Sequence, residues 1–332
     1  MIRDEANPQR RLAALMIVDS QAGPNVPIVL PNLLRELAQN TDPAIRRRII
    51  SLLPRYRDRG DEIVNSFRLA LTKDADAGVR EAAAVAIPKL DRTAAVALIP
   101  DLANALGDEA TGVRAAAAQT IGILCQKDAQ VALETIPALI SALKDTATQV
   151  RFQSAYALAQ MGASAVSSAE ALADMFVSDR EIPNRKEAAK ALAAIGPKAS
   201  PVAEKVLQGL SDPHAEIRQS AAFALGRIQG DPERVLPALL KAARDADVSV
   251  RCFAVHAIGA YGKPAVHTIP ELIDILRRDE VADVRLAVIE ELASFGTDAR
   301  PALEALRIAS KDGRAAIREA ALAAIKKIDS SP

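Results

Sequence analysis

Apolar residues along this chain recur with the period of an α-helix, in segments that each begin at an arginine. Counting from the arginine as position zero, aliphatic or small side chains occupy positions −1, +3, +4, +7, +8 and +10 in most segments, although Gln9 and Asn184 stand at −1 before Arg10 and Arg185. This spacing follows the 3.6-residue helical turn and predicts an amphipathic helix with a broad buried face. The segment that begins at Arg218 shows it in Ile217, Ala221, Ala222, Leu225, Gly226 and Ile228.

The same helix pattern returns every 33 to 37 residues, which makes it an internal repeat. Such a period is typical of stacked helical pairs, each of which can bury its apolar face only against its neighbours. We therefore predict a single all-α solenoid over residues 1–332, an α-α superhelix of about ten two-helix repeats. The arginines that begin the predicted second helices, here called B helices, are Arg10, Arg46, Arg80, Arg114, Arg151, Arg185, Arg218, Arg251, Arg285 and Arg318.

Each B helix is predicted to follow a short polar turn and a first helix, here called the A helix. An Asp lies in the turn six positions before the arginine, and Asn40 takes this place before Arg46. Proline is expected in the first turn of several A helices. These prolines are Pro100, Pro137, Pro237 and Pro270. Glycine at position +11 is expected to stop several B helices. These glycines are Gly162, Gly196, Gly262 and Gly296.

The repeated Asp and Arg predict a row of alternating charges along the turns. Each Asp is expected near the Arg of its own repeat or of the next one, where a buried pair strongly disfavours misregister. Phosphate binding by these arginines is the alternative, although each already has an Asp within reach. The predicted ladder comprises Asp74, Arg80, Asp108, Arg114, Asp145, Arg151, Asp212, Arg218, Asp245, Arg251, Asp279, Arg285, Asp312 and Arg318.

These Asp and Arg residues resemble those of the HEAT-repeat family, in which the two residue types form a ladder along the stack. The segment from Ile217 to Ile228 is also similar to the short bacterial HEAT-like repeats of phycobilin lyases. The resemblance covers essentially the whole chain. It implies an armadillo-like helical fold, and it leaves the function open because this scaffold serves many tasks.

Residues that could carry catalytic chemistry are few in this sequence. Three histidines are present, and none belongs to a cluster of His, Cys and Glu residues that is typical of a metal site. The His-Glu pairs of deoxyhypusine hydroxylase, a HEAT-like enzyme, are absent, and so is the Trp used by HEAT-like alkyl-purine DNA glycosylases. Cys252 and His256 are one helical turn apart, and a solvated or partly packed pair is the simpler interpretation. We expect no enzymatic activity, no metal and no cofactor.

The charge and the ends of the sequence bear on its partners and its location. The chain has 42 Lys and Arg residues and 42 Asp and Glu residues, and its formal net charge is therefore zero. A neutral chain argues against nucleic acid as the ligand, because nucleic acid is strongly negative. Two distant cysteines indicate a reduced compartment. The first residues lack the apolar core of a signal peptide, and no run of 18 apolar residues occurs. We therefore expect a cytoplasmic protein, monomeric in isolation and without a membrane partner.

Aromatic residues fall on one candidate binding surface. B helices line the concave face of HEAT-type stacks, so their outward positions +1, +2, +5 and +9 are the candidate positions. An exposed aromatic cluster there is typical of an interaction hot spot. The alternative is that the rings pack against neighbouring repeats and thicken the core. The predicted partner-binding residues are Phe152, Tyr156, Phe223, Phe253 and His256.

An arginine cluster nearer the N-terminus is the second candidate surface. Such a basic patch would suit an acidic peptide, a phosphate group or RNA. A solvated and partly self-paired surface is the alternative, and the lack of interleaved aromatic residues weakens the nucleic-acid interpretation. The candidate residues are Arg47, Arg48, Arg55, Arg57 and Arg59.

The sequence therefore favours a non-catalytic scaffold that binds a protein or peptide along its concave face. Two alternatives stay open. One is an accessory or lyase-like protein that assists the modification or assembly of a partner protein. The other is a nucleic-acid or phosphate binder that uses the arginine cluster.

Overall fold

The computed structural model describes residues 29–56, 60–126 and 128–330, together with Arg10 and Ala13. Every regular element within these residues is helical. The chain divides into two compact units, Met1–Ser164 and Ala165–Pro332. The all-α fold of repeated helix pairs is confirmed, and the single solenoid over residues 1–332 stays a prediction.

In the first unit A and B helices alternate, and successive B helices pack side by side. The α-helices are α1 (Val29–Gln39), α2 (Pro43–Leu52), α3 (Gly60–Lys73), α4 (Ala77–Ala86), α5 (Arg92–Val96), α6 (Ile99–Ala105), α7 (Thr111–Cys125), α8 (Ile136–Ala142) and α9 (Thr148–Met161). The 3-10 segments are Leu53–Arg55, Ile87–Lys89, Ala129–Thr135 and Gly162–Ser168, the last of which runs into the second unit. The B helices that the structure describes in this unit are α2, α4, α7 and α9, and the predicted B helix at Arg10 lies almost wholly outside the described residues.

The second unit has the same alternation and the same packing of B helices against B helices. Its α-helices are α10 (Ala169–Ser178), α11 (Ile182–Ile195), α12 (Ala203–Gln208), α13 (Ala215–Ile228), α14 (Pro232–Ala242), α15 (Val248–Ala260), α16 (Ile269–Arg278), α17 (Ala282–Ser294), α18 (Leu303–Ala309) and α19 (Ala315–Ser330). The 3-10 segments are Gly196–Val202, Gly209–Ser211, Lys263–Thr268 and Gly296–Ala302. The B helices of this unit are α11, α13, α15, α17 and α19.

The polar turns begin the B helices through local hydrogen bonds. Asp245 accepts the backbone N–H of Asp247 at 2.8 Å, which closes the turn. Asp247 then accepts the N–H of Val250 and caps α15. At the other end of several B helices the chain turns with a positive φ, between 54° and 71°, that glycine adopts without steric cost. The glycines with this φ are the predicted ones, Gly162, Gly196, Gly262 and Gly296.

The predicted apolar positions form the core. In α13 all six are buried, from Ile217 to Ile228. One buried position was missed, at +6, where the side chain is small in most B helices and faces the preceding B helix. Gly226 at +8 of α13 packs so closely on Ala257 at +6 of α15 that a Cβ on the glycine would lie 2.8 Å from the alanine Cα. Small residues at these two positions therefore let neighbouring B helices approach each other closely.

One of the four proline predictions was wrong. Pro100, Pro137 and Pro270 lie in the first turn of their A helices as expected. Pro237 instead lies inside α14, because that helix already begins at Pro232 after a cap by the preceding aspartate. A proline inside a helix lacks the backbone N–H, so α14 loses one internal hydrogen bond there.

Candidate interaction surfaces

An Arg–Asp ladder connects successive repeats within each unit. Arg218 donates from Nε and Nη2 to the two carboxylate oxygens of Asp245 in the next repeat, at 2.7 and 2.8 Å. Its Nη1 donates to the backbone carbonyl of Asp212 in its own repeat, at 2.9 Å. The sequence left open whether each arginine pairs with the aspartate of its own repeat or with that of the next repeat. In the structure Arg218 pairs with the carboxylate of the next repeat, and it also donates to a backbone carbonyl of its own repeat.

The same geometry recurs along both units. Arg151 and Arg318 also donate to the carbonyl of the aspartate in their own turn, Asp145 and Asp312, at 2.9 and 2.8 Å. The side-chain pairs between successive repeats are Arg46–Asp74, Arg80–Asp108, Arg114–Asp145, Arg185–Asp212, Arg218–Asp245, Arg251–Asp279 and Arg285–Asp312.

Two ladder carboxylates, Asp145 and Asp245, have pKa values lowered by their arginine partners. The hydrogen bond from Arg114 lowers the pKa of Asp145, and that from Arg218 lowers the pKa of Asp245, in both cases against burial, which raises it. Because Nε, Nη1 and Nη2 of Arg218 all have protein acceptors, its guanidinium is already engaged. This geometry favours the structural role over phosphate binding.

Arg185 departs from the common ladder geometry. Its Nε donates to the carbonyl of Phe176 at 2.7 Å, and only Nη2 reaches Asp212, at 2.5 Å. The guanidinium also lies 5.9 Å from the centroid of the Phe176 ring, within the range of a cation–π contact. The helix that carries Arg185 begins with Ile182 and Pro183, and the buried Asn184 takes the place of the aliphatic residue that precedes the arginine in most repeats.

Two of the predicted aromatic residues meet on the B helices of the second unit. Phe223 of α13 and Phe253 of α15 have ring centroids 6.1 Å apart at an interplanar angle of 87°, an edge-to-face contact. Phe223 is 39% exposed, and Phe253 is half-buried. The rings therefore pack on each other between neighbouring B helices and still present apolar surface to solvent.

His256 lies one helical turn after Phe253 and contacts the next B helix. Its Nδ1 is 2.8 Å from Oε1 of Glu291 on α17. The hydrogen bond with Glu291 raises the pKa of the imidazole, and the charge of Glu290 acts in the same direction. The Glu291 carboxylate lies over Gly259 of α15, so that a Cβ there would overlap it. Glycine at 259 thus makes room for the His256–Glu291 pair.

Charged residues flank this aromatic and imidazole surface on opposite sides. On α11 the outward positions +1 and +5 are Lys186, which is half-buried, and Lys190, which is exposed. The Nζ of Lys190 lies 3.0 Å from the buried Glu187 of the same helix. On α17 the exposed +5 position is Glu290. Lysine side chains therefore lie on one side of Phe223 and Phe253, and glutamates lie on the other.

The two remaining predicted aromatic residues lie in the first unit, on α9. Phe152 and Tyr156 are both half-buried. The ring of Tyr156 packs over Gly122 of α7, where a Cβ would lie 2.8 Å from Cε1 of the ring. Its hydroxyl accepts a hydrogen bond from Nε2 of Gln126. Tyr156 thus bridges two B helices, as the core-thickening alternative expects, while part of its surface stays accessible.

The cysteines lie in environments that disfavour the thiolate. Burial raises the pKa of the Cys252 thiol, and it raises the pKa of Cys125 to about 11. His256 pairs with Glu291, so its Nδ1 is already engaged. Within the described residues no group of three or more His, Cys, Asp or Glu side chains could hold a metal ion. The same part of the chain contains no helix long and apolar enough to cross a membrane.

The arginine cluster is described only in part. Arg47 and Arg48 of α2 and Arg55 after it are exposed, whereas Arg57 and Arg59 lie outside the described residues. The guanidinium of Arg47 extends over Gly78 of α4, where a Cβ would lie 3.0 Å from its Nη1. The cluster therefore remains a candidate surface.

Glu291 is the site residue that sequence reasoning missed. Its signal was a break in the repeat, because position +6 holds a small residue in most B helices and a glutamate in α17. A charged side chain at a position that is otherwise buried needs a polar partner. The histidine 35 residues before it, at +5 of the preceding B helix, is that partner.

Comparison with known proteins agrees with this architecture. A family model described as HEAT repeats matches residues 99–193 and 203–268. No curated protein matches the sequence. The resemblance to HEAT repeats drawn from the sequence is thereby confirmed.

Solved structures show the same fold at low sequence identity. An engineered protein matches with a TM-score of 0.62 and 18% identity, over 100% of this chain and 98% of its own. Importin beta matches with a TM-score of 0.72 and 12% identity, over 98% of this chain and 51% of its own. Kap121p matches with a TM-score of 0.63 and 16% identity, over 98% of this chain and 40% of its own. The chain thus spans about half of the length of importin beta and less than half of that of Kap121p.

Proposed function

Because a family model of HEAT repeats matches residues 99–193 and 203–268, we propose that the chain is a non-catalytic scaffold that binds a protein or peptide through the outward positions of its B helices. The observation that carries the proposal is the Phe223–Phe253 pair, which exposes aromatic surface on adjacent B helices. His256 adjoins this pair and belongs to the same proposed surface of the second unit. The predicted residues Phe152 and Tyr156 occupy outward positions of a B helix in the first unit, and we propose that they contact the partner there.

Burial of an exposed aromatic pair is a strong source of binding free energy. Aromatic side chains dominate hot spots because they bury a large area at a small cost in conformational entropy. Polar groups around the rings, such as His256 and Lys190, would supply the rim that fixes the orientation of the partner. A catalytic role through a cysteine nucleophile would need a lowered thiol pKa, and burial raises the thiol pKa of both cysteines.

The solved structures support a protein partner by analogy. Structures of Kap121p include complexes with Nup53p and with Pho4p, so one solenoid of this fold binds several proteins. Because the identity with Kap121p is only 16%, the analogy supports a class of function and no particular partner.

The proposal is tested by affinity capture from the source organism's lysate with identification by mass spectrometry. Wild type is compared with Phe223→Ser/Phe253→Ser. The matched control is Leu69→Ser/Ile308→Ser, which removes two exposed apolar side chains from A helices, 53% and 58% exposed. Circular dichroism and thermal melts establish that all three proteins are folded.

We expect proteins that wild type and the control capture and that the phenylalanine variant loses. The lost partner would then be purified, and its dissociation constant measured directly for the three proteins. Loss of one aromatic anchor in a hot spot weakens binding by about 2 kcal/mol or more. Equal capture and equal affinity for the folded phenylalanine variant would refute this surface as the binding site.

A further inference from the structure

The outward face of the second unit's B helices carries an ordered sequence of charges. Along successive B helices the +5 position is Lys190 in α11, Phe223 in α13, His256 in α15 and Glu290 in α17. All four side chains are exposed. Neighbouring positions reinforce the two ends, with Lys186 beside Lys190 and Glu291 beside Glu290. The face is therefore basic at one end, aromatic in the centre and acidic at the other end.

The charges of the two ends are modified by contacts that matter for recognition. The Nζ of Lys190 lies 3.0 Å from the buried Glu187, which neutralises part of the positive charge of Lys190. Lys186 adds a second positive charge at this end of the face. At the other end Glu291 pairs with His256 and is largely covered, whereas Glu290 is exposed to solvent. The hydrogen bond with Glu291 raises the imidazole pKa, and the charge of Glu290 raises it further.

We infer that the partner contributes an extended peptide segment with an apolar residue flanked by acidic residues on one side and basic residues on the other. This inference rests on the proposed function and specifies the partner of that same surface. The apolar side chain packs on the Phe223–Phe253 pair. The acidic flank lies near Lys186 and Lys190, and the basic flank lies near Glu290.

The spacing sets the length of the segment. Packed helices are about 8–10 Å apart, so three steps from α11 to α17 cover roughly 24–30 Å. An extended chain advances about 3.3 Å per residue, so about eight or nine residues span this distance. Complementary flanks favour this peptide because opposite charges attract across the rim, and uniformly charged flanks meet repulsion at one end.

The test uses three synthetic peptides of about nine residues, which differ only in their flanks around one central apolar residue. One has an acidic and a basic flank, one has two acidic flanks and one has two basic flanks. Fluorescence anisotropy at low ionic strength gives the dissociation constants. For wild type we expect the mixed-flank peptide to bind about five- to tenfold more tightly than either other peptide, and added salt to reduce the difference.

Charge-exchange variants make the test specific to this face. Lys190→Glu leaves acidic groups at both ends and should prefer the peptide with two basic flanks. Glu290→Lys should prefer the peptide with two acidic flanks. The double variant exchanges the ends, and the mixed-flank peptide can bind in the reverse direction, so the wild-type preference should return. Lys186→Glu replaces Lys190→Glu if loss of the contact with Glu187 unfolds the protein.

The matched control is Lys241→Glu/Glu233→Lys, which exchanges two exposed charges on the A helix α14. Its order of peptide affinities should equal that of wild type. The inference is overturned if wild type does not bind the mixed-flank peptide, binds all three equally, or keeps its order in the single variants. If those results accompany a captured partner that still needs Phe223 and Phe253, the aromatic surface stands and only the charge pattern of the partner is refuted.

Discussion

At the scale of single residues, the His256–Glu291 pair shows how one substitution in a repeat creates a polar contact. Position +6 of a B helix is buried and small in most repeats, and Glu291 occupies it in α17. Its carboxylate reaches His256 at 2.8 Å because Gly259 has no side chain in its path. The pair therefore depends on three coordinated residues on two helices.

This geometry predicts the protonation of His256. Glu291→Gln should lower the imidazole pKa relative to wild type, because the neutral amide no longer stabilises the imidazolium. An NMR titration of the ring resonances measures the midpoint in both proteins. Glu233→Gln, an exposed change on α14, is the control that should leave the midpoint in place. An unchanged midpoint in Glu291→Gln would show that the contact does not form in solution.

At the scale of helical elements, packing between B helices depends on small residues where the helices approach each other. Gly226 in α13 faces Ala257 in α15, and Gly122 in α7 faces Ala157 and Tyr156 in α9. Close approach lets backbone atoms of one helix contact those of the next, so the distance between the helices has little freedom to change.

Adding a methyl group at this approach should therefore be costly. In Gly226→Ala the new Cβ would lie 2.8 Å from the Cα of Ala257, so the two helices must separate. We expect a loss of about 1–3 kcal/mol in the free energy of unfolding, although alanine favours the helix itself. Urea denaturation measures the loss. Gly313→Ala, where the Cβ would have no atom within 4 Å, is the control and should change stability little.

At the scale of the whole molecule, the ladder repeats one electrostatic contact along each compact unit. Each aspartate closes its own turn through Oδ1 and accepts the arginine of the preceding repeat, as Asp245 does from Asp247 and Arg218. Because a repeat contacts chiefly its neighbours, the stability of such a stack depends on the interfaces between repeats. The ladder links those interfaces to pH.

The ladder predicts acid sensitivity. The pKa of Asp245 is lower in the folded protein than the value of about 3.9 in an unfolded chain. Its stabilisation is therefore present above that unfolded value and is lost as the pH falls through the folded pKa. Denaturant unfolding from neutral to acidic pH should show this loss in wild type.

The substitution Asp245→Asn removes the negative charge of the ladder residue and keeps the hydrogen bond that closes the turn. The amide oxygen can still accept the backbone N–H, as Asn40 does from Asp42 at 2.9 Å. We expect a deficit of about 3 kcal/mol at neutral pH, because Arg218 loses its buried partner. The deficit should shrink toward acidic pH, where wild type loses the same charge. A deficit that is independent of pH would contradict the electrostatic role of the ladder.

The sequence alone determined the elements and most of the core. A period of 3.6 residues identified the buried face of α13, and glycines at +11 marked the ends of B helices such as α11, because both depend on local geometry. The repeated Asp and Arg identified the ladder for the same reason, since each repeat places them at the same point of its turn. Pro237 was misplaced because the cap by Asp231 begins its helix one turn earlier.

Only the tertiary structure decided which residues meet between repeats. The sequence could not choose whether Arg218 bonds the aspartate of its own repeat or that of the next, because both lie within reach of a long side chain. It placed Phe223 and Phe253 on outward positions but could not give their edge-to-face contact. It also missed Glu291, whose contact with His256 exists because neighbouring helices approach closely at Gly259. Such contacts depend on the distance and rotation between helices, and no local pattern contains that information.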